Sequence, residues 1–96
     1  MNIQNMMRQA QKMQADMQKA EKELQNKIFV EENDLVKVEC DGKHFVKSIE
    51  IKEIDDKDIL GDMIMIAINK NIEKANKEHD EMMKKITGGI KLPGGF

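Results

Sequence analysis

A chain of 96 residues with a formal net charge of −2 and a pI near 5.7 fits one domain with a modest core and lacks the strong basicity of many nucleic-acid binders. Nine Met, three Phe and neither Trp nor Tyr leave flexible and branched aliphatics to fill that core and remove the usual stacking platforms for single-stranded bases. The lone Cys40 excludes an internal disulfide and a Cys-based zinc cluster, and without a signal peptide or an apolar run of about 18 residues the chain is expected to be soluble and cytoplasmic.

Ile3, Met6, Ala10, Met13, Met17, Ala20 and Leu24 recur at alternating spacings of three and four, the pattern of a coiled-coil-like helix over residues 1–27. A narrow apolar seam of this kind needs cover from another part of the chain or from a second copy. Three strands are expected over residues 28–54. Ile28, Phe29 and Val30 make the first, ending at the turn-forming Asn33 and Asp34. Val36, Val38 and Cys40 alternate with Lys37 and Glu39 in the second, and Asp41-Gly42 predicts a two-residue hairpin. The third strand then carries Phe45, Lys47, Ile49 and Ile51 on one face and Val46, Ser48, Glu50 and Lys52 on the other.

One of Asp55, Asp56 and Asp58 caps a second long helix, predicted over residues 56–87. Met63 to Ile68 are apolar all round and imply burial on several sides, against the sheet and another helix. Met65, Ile68, Ile72, Ala75, His79, Met82 and Ile86 form a second seam. Gly88-Gly89 ends the helix, and residues 88–96, with Pro93 and a second Gly pair, read as a flexible tail. The fold class is therefore α+β, with a three-stranded antiparallel meander between two helices.

Four segments stand out in register: Met6-Met7-Arg8-Gln9-Ala10-Gln11-Lys12-Met13-Gln14, Leu35-Val36-Lys37-Val38 leading to Gly42, Ile49-Glu50-Ile51, and Gly88-Gly89-Ile90-Lys91-Leu92-Pro93-Gly94. Together they resemble the YbaB/EbfC family of bacterial nucleoid-associated proteins. Each is weak alone, but their order and spacing span nearly the whole chain. The resemblance implies a tweezer-like homodimer that binds DNA in the nucleoid. The sequence departs from the family in one place: a Gly-rich stretch often precedes the Leu-Val-Lys-Val strand, whereas here Glu31-Glu32-Asn33-Asp34 would repel phosphate.

Charge is distributed unevenly, with balances of +2 over residues 1–27, −5 over 28–60 and +1 over 61–96. On the first helix Arg8 and Lys22 fall at f and Lys12 and Lys19 at c, opposite the seam, while Asp16, Glu21 and Glu23 flank it. On the second, Lys70, Lys77 and Lys84 fall at f and Lys74 at c, with Glu81 intruding. Outward lysines are ordinary solvated surface in many helices, but eight basic residues sorted onto outer faces predict contacts to phosphate. One Arg among sixteen basic residues argues against base readout.

Met6, Met13, Met17, Leu24, Met65, Ile68 and Ile72 are expected at the dimer interface. Gln4, Gln11, Gln18 and Gln25 form a polar row best read as surface. Cys40 and His44 supply two ligands of the four that zinc needs, and His79 has no nucleophile or carboxylate placed beside it by any motif, so neither metal, cofactor nor enzyme activity is expected. The reading is a homodimer that binds duplex DNA through its backbone with low sequence preference, extending to nucleoid organisation or gene expression. The alternatives are a prefoldin-like chaperone, for which a first helix of about 24 residues, or about 36 Å, is short, and a coiled-coil adaptor that binds another protein.

Overall fold

The computed structural model describes residues 2–88. Helix α1 spans Ile3–Asn26, strands β1, β2 and β3 span Ile28–Glu32, Val36–Asp41 and Val46–Ile51, and helix α2 spans Lys57–Thr87. The expected α+β order is present, with the strands paired antiparallel in the order β1-β2-β3. The predicted tail from Gly89 onward lies outside the described residues.

Local chemistry sets each boundary. The Asn2 side chain accepts from the Gln4 N–H at 3.0 Å and starts α1. Asn33 turns the chain from β1 into β2, its side-chain oxygen accepting from the N–H groups of Leu35 and Val36 at 2.9 and 3.0 Å. Among the three candidate aspartates Asp56 caps α2, accepting from Asp58 and Ile59. Gly88 closes the helix in the left-handed conformation at φ 64°, with its N–H donating to the Lys84 carbonyl.

The β2–β3 hairpin differs from the sequence expectation. Its loop has three residues, Gly42 to His44, in which the His44 N–H donates to the Asp41 carbonyl and His44 takes φ 70°. This is the longer turn type in which the last loop residue is left-handed. The Asp41 carboxylate stabilises it by accepting from the N–H groups of Lys43 and Phe45 at 2.8 and 3.1 Å. That side-chain cap favours a wider loop over the two-residue turn that Asp-Gly usually signals.

A bulge follows the turn. Glu39 faces Ser48 but Cys40 faces Val46, so Lys47 is the extra residue on β3. The bulge corrects the predicted faces, because Val46 joins Ile49 and Ile51 on the side shared by Val36, Val38 and Cys40.

The core has two parts joined by α2. In its first half, Val36, Val38, Cys40 and Ala67 are buried, with Leu60, Met63, Ile64 and Ile68 packed around them. In its second half, Met83 packs with Met17 and Ala20 of α1, flanked by Met13, Met82 and Ile86. The pairing of Glu21 with His79 and of Met17 with Met83 makes α1 and α2 antiparallel. The α1 seam is thus covered by its own chain from Met13 to Leu24, while Ile3 and Met6 remain open, 70% and 49% exposed.

Burial on several sides of Met63 to Ile68 is not achieved within the chain. Helix α2 lies over β2 and β1 and leaves β3 bare, so Met65 is exposed and the apolar face of β3 has no cover from it, while Ile66 is exposed on the β1 flank.

Candidate nucleic-acid interface

All four basic residues assigned to the first helix are solvent-exposed. At 100° per residue, Arg8, Lys12, Lys19 and Lys22 lie on the side of α1 opposite Met17, Ala20 and Leu24, the residues that seat it on α2. Packing therefore fixes which face of α1 carries the charge. The carboxylate-bearing flank behaves differently: Glu21 turns toward α2, with its Oε1 3.9 Å from His79 Nε2.

The second helix brings three of its four candidate lysines together. Lys70, Lys74 and Lys77 line a shallow cleft of about 300 Å³ between α2 and β1, with Glu31 and Glu73 as the other walls. Lys74 Nζ lies 2.8 Å from Glu31 Oε2 and also donates to the Val30 carbonyl. Among the described residues, Lys70 and Lys77 pair with no carboxylate. Lys84 is exposed one turn from the α2 C-terminus, where a cation opposes the negative end of the helix dipole.

The sequence pattern puts Glu31 in an acidic loop, but the structure places it in β1, as strand alternation allows: it sits two residues after the buried Phe29 and opposite the buried Val38. It therefore points to the α2 side of the sheet.

The expected interface residues divide into two groups. Met13, Met17 and Leu24 are wholly or partly buried, Met13 and Met17 together against α2, while Ile68 packs on the sheet core and Ile72 is half-buried. Met6 and Met65 are exposed. Ile66 and Lys70 flank β1, which places Met65, Ile68 and Ile72 on the other flank of α2, toward β3. On the same side of the sheet, Val46, Ile49 and Ile51 of β3 are 42%, 41% and 54% exposed.

Asn71 is a further polar residue that the apolar pattern concealed. It is fully buried under β2, donating to the Val38 carbonyl at 2.9 Å and to Cys40 Sγ at 3.6 Å. Burial pushes the Cys40 thiol pKa up; the Asn71 N–H opposes that and the Asp41 charge adds to it. The thiol is thereby held protonated, as a packed structural cysteine. No described helix is long and apolar enough to cross a membrane.

A nucleoid-associated protein of Clostridium novyi is 43% identical over 102 aligned positions, which take in all of this chain and 90% of the relative. One from Ruminiclostridium cellulolyticum is 40% identical over 99% of this chain and 89% of its own length. One from Mycoplasmopsis pulmonis is 41% identical over 97% and 96%. The profile of the YbaB/EbfC DNA-binding family matches residues 1–90, and with two helices flanking a three-stranded sheet and basic faces turned outward, the chain belongs to that family.

Proposed function

We propose that this protein is a nucleoid-associated protein that binds duplex DNA as a homodimer, mainly through the phosphate backbone and with little sequence preference. The observation that carries the proposal is that all eight basic candidates are solvent-exposed, with Arg8, Lys12, Lys19 and Lys22 opposite the packing face of α1 and Lys70, Lys74 and Lys77 at the edge of α2 beside β1. Lysine ammonium groups neutralise phosphates without reading bases, so affinity depends steeply on salt and weakly on sequence.

The dimer follows from the apolar surface that one chain leaves open. Val46, Ile49 and Ile51 are exposed on the helix-facing side of β3, and Met65 is exposed on the flank of α2 turned toward that strand. An exposed apolar surface of this kind, with an unpaired strand edge beside it, favours association. A second copy covering it would leave the α1 ridge and the cleft lysines free, since these lie on other faces. Two subunits then offer DNA two sets of basic helix faces, and the protein locates to the nucleoid.

The test is titration of a random-sequence duplex at several salt concentrations, with wild-type protein and with Arg8, Lys12, Lys19 and Lys22 changed together to Ala. The quadruple variant should bind more weakly on every sequence and with a flatter salt dependence. Unchanged affinity and slope would remove the α1 ridge from the interface, and no duplex binding by the wild type at low salt would reject the function.

A further inference from the structure

The Lys70, Lys74 and Lys77 cleft contains its own competitor for phosphate. The three lysines stand at positions i, i+4 and i+7 on one side of α2, so their side chains are neighbours. Lys70 and Lys77 are free of ion pairs among the described residues, whereas Lys74 between them is engaged by Glu31. Glu31 reaches the cleft from a different element. It stands on the helix-facing side of β1, three-quarters buried, and presents a carboxylate oxygen 2.8 Å from the central ammonium. Glu73 lines the cleft too, without an ion pair among the described residues.

We propose that Glu31 occupies the place of a phosphodiester oxygen in the free protein and that DNA binding at this cleft exchanges the Glu31 carboxylate for a backbone phosphate on Lys74. This rests on the duplex-binding function proposed above and names a subsite and a regulating residue within it. A carboxylate and a phosphate offer the same anionic oxygen to an ammonium group. The partner must therefore displace Glu31 to use Lys74, and the binding strength of the cleft is set by that competition. Because the pair is partly exposed it is weak, and phosphate can displace it. The second contact of Lys74, to the Val30 carbonyl, is independent of Glu31 and holds the ammonium in the cleft after the exchange.

The experiment measures duplex binding by wild type, E31Q, E32Q, K74A and the E31Q/K74A double variant over a range of salt. Glu32 is the control for a general loss of negative charge, since it is exposed and points to the opposite face of β1. The expected result is that E31Q binds roughly two- to five-fold more tightly at low salt, a surface-pair effect of about 0.4–1 kcal/mol. Its salt slope should stay close to that of the wild type, because Lys74 neutralises the same phosphate in both proteins, whereas K74A should flatten it by up to about 0.9. E32Q should gain less, and the gain of E31Q should vanish when Lys74 is Ala. An E31Q protein that binds no better than wild type, or gains equally in the K74A background or from E32Q, overturns the exchange while leaving duplex binding intact. Wild-type protein that binds no duplex at all rejects the function and this subsite with it.

Discussion

Replacing Gly42 with Ala tests the joint between the hairpin and α1. A Cβ built at Gly42 stands 1.8 Å from the Leu24 carbonyl oxygen, 2.6 Å from its carbon and 2.9 Å from the Gln25 Cα. All three are backbone atoms of the last turn of α1, so no side-chain rotation can relieve the contact. Reaching even 3.0 Å from the oxygen requires 1.2 Å of separation between the hairpin and the helix end. A gap of that order forfeits a large share of the dispersion contacts across it. It also loosens Leu24, only 7% exposed, whose burial stabilises by about 1.5–3 kcal/mol. Rigid overpacking typically costs about 1–3 kcal/mol, so the combined loss should be about 2–4 kcal/mol. For a domain of this size, that lowers the midpoint of thermal unfolding by roughly 10–25 °C. Circular dichroism melts of wild type and G42A should be compared at equal protomer concentration, since association also shifts the midpoint. A change smaller than about 0.5 kcal/mol would mean that α1 does not seat against the hairpin as described, because no local adjustment can absorb a backbone clash of this size.

The opposite sign is expected at Gly61, which is exposed in α2 with nothing within 4 Å of a built Cβ. G61A should stabilise by about 0.5–1 kcal/mol in denaturant unfolding, and destabilisation would show that another chain lies over this position. Burial alone would raise the Asp41 carboxyl pKa, but the N–H groups of Phe45 and Lys43 together with Lys47 outweigh it and hold the pKa below the usual value. The folded state therefore binds its proton later than the unfolded chain. This contribution to stability is complete above about pH 4 and is lost as pH falls through the lower folded value. The stability gap between wild type and D41N should narrow below pH 4; a gap constant from pH 6 to pH 3 would contradict it. Cys40 should react with a thiol reagent only at the rate of global opening, because it is 1% exposed and its thiol pKa is raised; rapid labelling of native protein would refute the burial. On the proposed dimer, I49K/I51K should sediment as a folded monomer at concentrations where the wild type sediments at twice the mass, and no difference in mass between the two would move the interface away from β3.

The helices were legible because their signals are local and redundant. The three-four seam, Asp56 before the apolar run and Gly88 after it each act within a turn or two, and together they place both helices to within a residue or two of their observed ends. The hairpin was not legible in detail. Asp41-Gly42 carries the dipeptide signal of a two-residue turn, but the Asp41 carboxylate binds two N–H groups further on and draws in Lys43 and His44. The bulge at Lys47 then reverses the apparent face of Val46, a consequence of register that alternation within one strand cannot reveal. The candidate site was legible as a set of exposed faces but not as a constellation. Spacing put Lys70, Lys74 and Lys77 on one side of α2, yet the carboxylate that pairs with Lys74 comes from a strand about 40 residues earlier. Asn71 was hidden for a related reason, since a polar residue in an apolar stripe becomes structural only when a distant carbonyl accepts from it.

The net charge of −2 does not oppose the proposed activity, because distance separates the charges. The molecule is 68 Å long and 19 Å by 17 Å across. The sheet core centres near Ile64 and the helix-pair core near Met83, about 30 Å apart along α2 at 1.5 Å per residue. The excess of acid, −5 over residues 28–60, belongs to the sheet and the start of α2. At physiological ionic strength the screening length is about 8 Å, so a duplex against Arg8 or Lys12, at the far end of α1 from the hairpin, is several screening lengths from most of those carboxylates. Lys70, Lys74 and Lys77 lie nearer the sheet, and there a single carboxylate within contact distance matters more than the net charge of the whole chain. On the proposed reading the distal ridge works as a plain cationic surface, and the proximal cleft is where, among the described residues, a carboxylate of the sheet adjusts the grip on DNA.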